Sequence, residues 1–202
     1  MMTTHLSLNK YTNVLNSDYS ILQMIFPEDK MPDKNSTSFF NDNDISMLIP
    51  EGIKQRFINQ ALFDKINKRA FSMFDVGFEH CEDHFPQYPI LPMAKLGQIM
   101  AQVGSLLFVL TADEENPGKK VPIVKRVLSI NSFIANVHGN KKMFIIPGDK
   151  LLIVAEHGKE QTEQVSIFVY TEASLIASME LIYEVLNQNF FIKLYERQLK
   201  NC

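Results

Sequence analysis

The sequence predicts an α+β domain in which one long apolar helix is covered by an antiparallel sheet. Three observations carry this. Residues Met93 to Leu110 read as a single long apolar helix. After it the apolar period shortens, and strand-like runs rich in Val, Ile, Phe and Tyr follow: Val121 to Ile134, Met143 to Ile146, Leu151 to Ala155, Val165 to Tyr170 and Leu175 to Val185. The separators HGNKK, PGDK, EHGKEQTEQ and TEAS are short, which predicts mostly antiparallel neighbours. A helix apolar nearly all round must be covered on most sides, and a sheet wrapped around it is the simplest arrangement.

The remaining elements follow in chain order. Residues 1 to 19 are polar, and Ile21 to Phe26 is apolar enough for a strand. Pro27 to Asp44 is polar and ends in the loop-like DKNSTSFFNDND. From Pro50 to Ala70, Ile53, Phe57, Ile58, Leu62 and Ile66 recur at steps of about four with Lys and Arg between, which predicts an amphipathic helix. Phe71 to Phe78 leans towards a strand. HFPQYPILP, His84 to Pro92, carries too many prolines for a helix or a central strand and must be extended and stiff. Pro92 sits where a helix starts, because its missing N–H costs nothing there. The helix is expected to end near Leu110, before DEENPG, and Asn187 to Cys202 to form a short helix. The expected organisation is an N-terminal extension over 1–50, one domain over 51–186 and a tail over 187–202.

Composition narrows the function classes. The chain has 202 residues, 46% apolar and 21% charged, with 15 Phe and only 8 Gly, so it can bury a core. A net charge of −3 gives no global basic field for nucleic acid. Two cysteines, Cys81 and Cys202, make neither a disulfide framework nor a four-thiolate zinc site, and suit reduced thiols in the cytoplasm. The first residues show no secretory pattern. The longest uncharged run, Leu96 to Ala112, is shorter than the ~20 residues of a membrane span and includes Gln98, Gln102 and Ser105.

The helix itself carries three stripes. Leu96, Ile99, Met100, Val103, Leu107 and Leu110 form a core face; Gly97, Ala101 and Gly104 form a face where another element can approach closely. Gln98, Gln102 and Ser105 form a narrow polar stripe, which either caps neighbouring backbone or lines a pocket. Upstream, EHCEDHF (Glu79 to Phe85) is the densest titratable cluster. His80 and His84 with Glu82 or Asp83 have the atoms for a metal, but the following prolines oppose the helix that would join the histidines. Acidic neighbours raise a thiol pKa, which weakens Cys81 as a nucleophile. His84 on the stiff loop suits a general base near neutral pH.

The stretch HFPQYPILPMAKLGQIMAQ, His84 to Gln102, resembles the active-site signature of bacterial β-hydroxyacyl-acyl-carrier-protein dehydratases of the FabA/FabZ type. His84, Phe85, Pro86, Pro89, Pro92, Ala101 and Gln102 match position by position, and IIPGDKL (Ile145 to Leu151) resembles the family's turn into a long strand. The resemblance covers about residues 70 to 186. It implies a hot-dog fold, an acyl-thioester substrate on an acyl carrier protein or CoA, no cofactor and no metal, and a homodimer or dimer-based oligomer with the site at the subunit interface. It further implies that His84 takes the α-proton while the amide at the helix start binds the thioester carbonyl, with Pro92, Met93, Ala94, Tyr88 and Gln102 around the substrate.

The sequence departs from that signature where chemistry is done. The family's acid is Gln98, the glycine after the second proline is Met93, and another glycine is Gln87. Gln98 can hydrogen-bond a hydroxyl but has no proton to give at neutral pH. The readings are therefore a dehydratase or enoyl-thioester isomerase with His84 as base and Tyr88 or a water held by Gln98 and Gln102 as proton source; a catalytically impaired acyl-binding homologue, alone or paired with an intact subunit; or a hot-dog thioesterase using Glu79, Glu82 or Asp83. An acidic carrier protein would meet basic residues such as Lys119, Lys120, Lys125, Arg126, Lys141 and Lys142.

Overall fold

The computed structural model describes residues 32, 36–49, 55–82, 85, 87–115, 123–135, 144–158, 163–171, 174–187, 192–193 and 196–197. Its elements are β1 (Thr37–Phe40), α1 (Asp42–Leu48), β2 (Ala61–Asp64), β3 (Arg69–Asp75), α2 (Phe78–Cys81), α3 (Met93–Glu115), β4 (Ile123–Ala135), β5 (Lys150–His157), β6 (Gln164–Thr171) and β7 (Ser174–Asn187). The strands form one antiparallel sheet in the order β1-β2-β3-β5-β6-β7-β4. Helix α3 lies against its inner face.

Packing of α3 follows its apolar stripe. Leu96, Ile99, Met100, Val103, Leu106 and Leu107 are fully buried and meet Leu151, Ile153, Val165, Ile167, Met179 and Leu181 from alternate positions of β5, β6 and β7. Met93–Thr111 is long and apolar enough to cross a membrane by length and composition, but its apolar face here is the core of the sheet. The small-residue face meets a side chain: Tyr183 of β7 lies over Gly104 and donates its hydroxyl to Ala101 O at 2.8 Å.

The structure corrects three expected elements. Between 55 and 70 there is no amphipathic helix: 56–60 has no regular structure and β2 follows. All four residues of β2 are buried; Ala61 and Phe63 pack on the inner side and Leu62 on the outer, so the strand lacks the alternation that marks one wetted face. Ile66, which completed the helical pattern, is 70% exposed in the turn that follows. Asp64 shapes that turn by accepting from Asn67 N–H (3.1 Å) and Asn67 Nδ2 (2.8 Å), while Lys68 takes φ 48°.

The loop-like stretch before residue 50 contains structure as well. β1 pairs with β2, so the sheet begins at Thr37. Asn41 then caps α1, accepting from Asn43 and Asp44 N–H at 2.9 and 3.2 Å while its own N–H donates to Asp44 Oδ2 at 3.0 Å. The composition that reads as loop is a capping box. Third, residues 144–146 of the expected Met143–Ile146 strand have no regular structure and lead into a turn at Gly148 (φ 94°). The expected Ile21–Phe26 strand lies outside the described residues. Of the tail, 192–193 and 196–197 are described and helical.

Candidate active site

Of the residues singled out by sequence, Pro92, Met93, Ala94 and Gln98 lie at one end of the domain, where α3 begins. Two backbone braces define it. Val76 N–H donates to Asp149 O (2.9 Å) and Gly148 N–H to Val76 O (2.8 Å), tying the end of β3 to the turn before β5. Leu91 N–H donates to Ile145 O (2.9 Å), holding the proline-rich segment on the same turn. Asp149 Oδ2 closes the turn by accepting from Ile146 N–H at 2.8 Å, and the positive φ of Gly148 is what allows the chain to reverse there.

Hydrogen bonding within α3 starts with Leu96 N–H on Pro92 O (3.0 Å). The amides of Met93, Ala94 and Lys95 therefore point out of the helix start without an intrahelical acceptor, at the positive end of its dipole. Met93, Ala94 and Gln98, on the first two turns of α3, are exposed, and Pro92 just before it is half-buried. Tyr88 is 67% exposed, and its N–H donates to Phe85 O at 2.9 Å. His84 lies outside the described residues, as do Asp83 and Pro86.

Gln102 stands apart from this group. It is buried, its Oε1 accepts from Phe57 N–H (2.9 Å) and its Nε2 donates to Gln55 O (2.5 Å). Both ends of the amide fasten the segment ahead of β2 to the middle of α3. Gln98, one turn nearer the open end, makes no side-chain hydrogen bond among the described residues.

Phe57 links this fastening to His80, whose role sequence reasoning missed. The His80 ring lies 4.7 Å from Phe74 and 6.3 Å from Phe57, centroid to centroid. His80 Nδ1 accepts from Gly77 N–H at 2.8 Å, which leaves the proton on Nε2, 3.6 Å from Glu79 Oε1. Burial pushes the imidazole pKa down and Lys95 adds to this, against the opposing pull of Glu79. A neutral His80 thus pins the turn that leads into α2. Only the proximity of aromatic residues at 57 and 74 signals this, and the helix expected over 50–70 hid it. Cys81 is buried, and burial raises its thiol pKa. Among the described residues no group of three or more His, Cys, Asp or Glu side chains is arranged to hold a metal.

No protein-family model matches the chain. Solved structures do. One is the dehydratase heterocomplex ApeI:P from Xenorhabdus doucetiae, at 13% identity and TM-score 0.56, covering 75% of this chain and 96% of that one. Another is Cj0977, a sigma28-regulated virulence protein from Campylobacter jejuni, at 12% and 0.52, covering 74% and 92%. A third is a thioesterase superfamily member from Thermus thermophilus, at 16% and 0.50, covering 66% and 91%. These likenesses define the fold: the chain is a hot-dog domain, an α+β sheet wrapped around one long helix.

Proposed function

We propose that the protein acts on acyl thioesters in the cytoplasm, as a (3R)-hydroxyacyl-ACP dehydratase or enoyl-thioester isomerase of fatty-acid or polyketide-type synthesis. The observation that supports this best is the open start of α3. Amides of Met93, Ala94 and Lys95 emerge there, directly after HFPQYPILP. A thioester carbonyl on those amides gains hydrogen bonds that strengthen as its oxygen becomes negative, which lowers the barrier to losing the α-proton. His84 takes that proton. In isomerisation His84 returns it to the γ-carbon, so no acid is needed. In dehydration the β-hydroxyl leaves as water, its proton supplied by Tyr88 or a water held by Gln98. Pro92, Met93 and Ala94 line the acyl entrance.

The homodimer belongs to the same reading. β4 is an edge strand, and Ile130, Phe133 and Ile134 on it are 61%, 38% and 56% exposed. An apolar, unpaired edge is what a second subunit would continue. Gln98 in place of an acid supports a second reading: an acyl-binding subunit of low intrinsic activity that pairs with an intact one. The likeness to a dehydratase heterocomplex is in keeping with it.

The test is incubation with 3-hydroxyacyl carrier-protein thioesters while following enoyl absorbance. Turnover abolished by His84→Ala supports the enzyme. Tight binding without turnover, with activity gained in Gln98→Glu, supports the second reading; general acid catalysis is worth ~10²–10⁴ in rate. Neither binding nor turnover at any chain length overturns both.

A further inference from the structure

α2 is a single turn, Phe78–Cys81, and a helix that short has no stability of its own. It stands because other elements hold it. His80 N–H donates to Gly77 O at 3.2 Å, and Gly77 N–H donates back to His80 Nδ1 at 2.8 Å, so one residue closes the turn from both sides. The imidazole completes a group of three rings with Phe74 of β3 and Phe57 of the segment ahead of β2, which are themselves edge to face at 6.4 Å. Only 20% of the His80 side chain is exposed.

These contacts run on into α3 at two levels. Phe57 N–H donates to Gln102 in the third turn, and Lys95 Nζ in the first turn donates to Glu79 O at 3.5 Å. His80 is the point where β3, the 55–57 segment, α2 and α3 meet. Among the described residues the charged groups that face it are Glu79 on α2 and Lys95 on α3. β3 and the 55–57 segment present Phe74 and Phe57 to it; Asp75 is paired with Lys150 and Arg56 with Asp42. A proton on Nδ1 sets two donors against each other, because Gly77 N–H loses its acceptor. It also puts a charge in a largely apolar place near the Lys95 ammonium, and both burial and Lys95 act against it. The ring keeps its place only while it is neutral.

We propose that His80 is a positioning residue of the candidate site, a latch that seats α2 against the first turn of α3 when neutral and releases it when protonated. The proposal rests on the acyl-thioester reading only for what the seat serves: the amides of Met93, Ala94 and Lys95, which that reading gives to the thioester carbonyl, belong to the same turn. Once α2 is released, Lys95 loses its hold on Glu79 O and thioester binding weakens as the pH falls.

The test follows the His80 ring and the amides of Gly77, Ala94 and Lys95 by NMR in the 15N-labelled full chain, titrated from about pH 8 to about pH 5. It is run in the natural chain and in His84→Ala, where the second imidazole is gone. The four signals are expected to titrate with one midpoint, below the ordinary imidazole value, in both chains. His80→Asn keeps an acceptor for Gly77 N–H but takes no proton. It should remove that step and hold Ala94 and Lys95 at their high-pH positions. Ala94 and Lys95 amides that do not follow the His80 ring, or that still titrate at the same midpoint in His80→Asn, overturn the latch. Affinity for a 3-hydroxyacyl carrier-protein thioester should fall up to about tenfold per pH unit below the midpoint, relative to His80→Asn. Equal pH dependence of affinity in the two chains overturns the positioning role. A chain that binds no thioester at any pH overturns the acyl-thioester reading instead, and the amide titrations still decide the latch.

Discussion

Gly104→Ala is a sharp test of how α3 is seated. An alanine Cβ at that position would stand 2.6 Å from Tyr183 Oη and 3.0 Å from Ile167 Cδ1. The phenol has little room to move: Tyr183 is 1% exposed, its ring lies 4.8 Å from that of Phe108, and its hydroxyl is bonded to Ala101 O. On an open helix, Gly to Ala gains ~1 kcal/mol. Here overpacking costs about 1–3 kcal/mol, and displacing the hydroxyl costs a further ~1 kcal/mol. The net expectation is a loss of about 1–3 kcal/mol, each kcal/mol lowering Tm by roughly 2–4 °C for a chain this size. Tyr183→Phe removes the atom in the closest contact and leaves the ring carbon at an ordinary 3.4 Å. Alone it costs ~1 kcal/mol. Together the two substitutions should cost at least ~1 kcal/mol less than their sum, measured by urea unfolding followed by circular dichroism as a double-mutant cycle. Gly97→Ala, with nothing within 4 Å of the new methyl, is the control and should be neutral or stabilising. Additivity within ~0.5 kcal/mol, or a stabilising Gly104→Ala, would refute the reasoning.

Other expectations follow from the same kind of geometry. Gln102→Ala leaves Phe57 N–H and Gln55 O without their partner and should cost about 1–3 kcal/mol, with faster hydrogen exchange at the Phe57 amide by NMR. Burial would raise the pKa of Asp64, but hydrogen bonds from Asn67 and Arg69 and the Arg69 charge outweigh it and hold the carboxyl below its ordinary value. Its stabilisation is therefore present above the unfolded pKa and is lost as pH falls through the folded one; acid titration of unfolding should be shallower in Asp64→Asn. For His80 the folded pKa is depressed, so the unfolded chain binds the proton first. Stability should fall as pH drops from about 6.5 through the folded value, and His80→Asn should flatten that limb of the profile.

The sequence was most legible where one physical demand acts along one segment. From Leu96 to Leu110 the core side is set by helical spacing, and those residues are buried as expected. Strands β6 and β7 alternate over most of their length because one side meets α3, while β5 is buried on both sides from Leu151 to Ala155 and shows itself by its short apolar run; all three were found within a residue or two. The start of α3 followed from Pro92. Legibility failed where two demands overlap. β2 is buried on both sides, and its apolar residues mimicked a helical period only because Ile66 of the adjoining turn completed the pattern. α1 was hidden because Asn and Asp serve loops and helix caps alike, and only the reciprocal bonds between Asn41 and Asp44 tell them apart. At the candidate site, the resemblance pointed to residues at the start of α3. It did not separate Gln98 from Gln102, which share a stripe and differ only in what the 55–57 segment covers.

That difference governs how the site can be interrogated. The end of the domain is braced by backbone bonds among Val76, Leu91, Ile145, Gly148 and Asp149, and by Gln102 acting through the 55–57 segment. Gln98 carries none of this bracing: it is exposed and its side chain bonds to nothing among the described residues. Exchanging Gln98 for Glu therefore changes the proton inventory at the mouth of α3 and leaves the frame intact, whereas exchanging Gln102 disturbs the frame whatever its part in substrate binding. A change in turnover with unchanged stability in Gln98→Glu reports on chemistry alone. A change in both, as expected for Gln102→Ala, reports on architecture first. The polar stripe of α3 thus divides into an outer amide, exposed at Gln98, and an inner one, Gln102, that fastens the 55–57 segment to the helix.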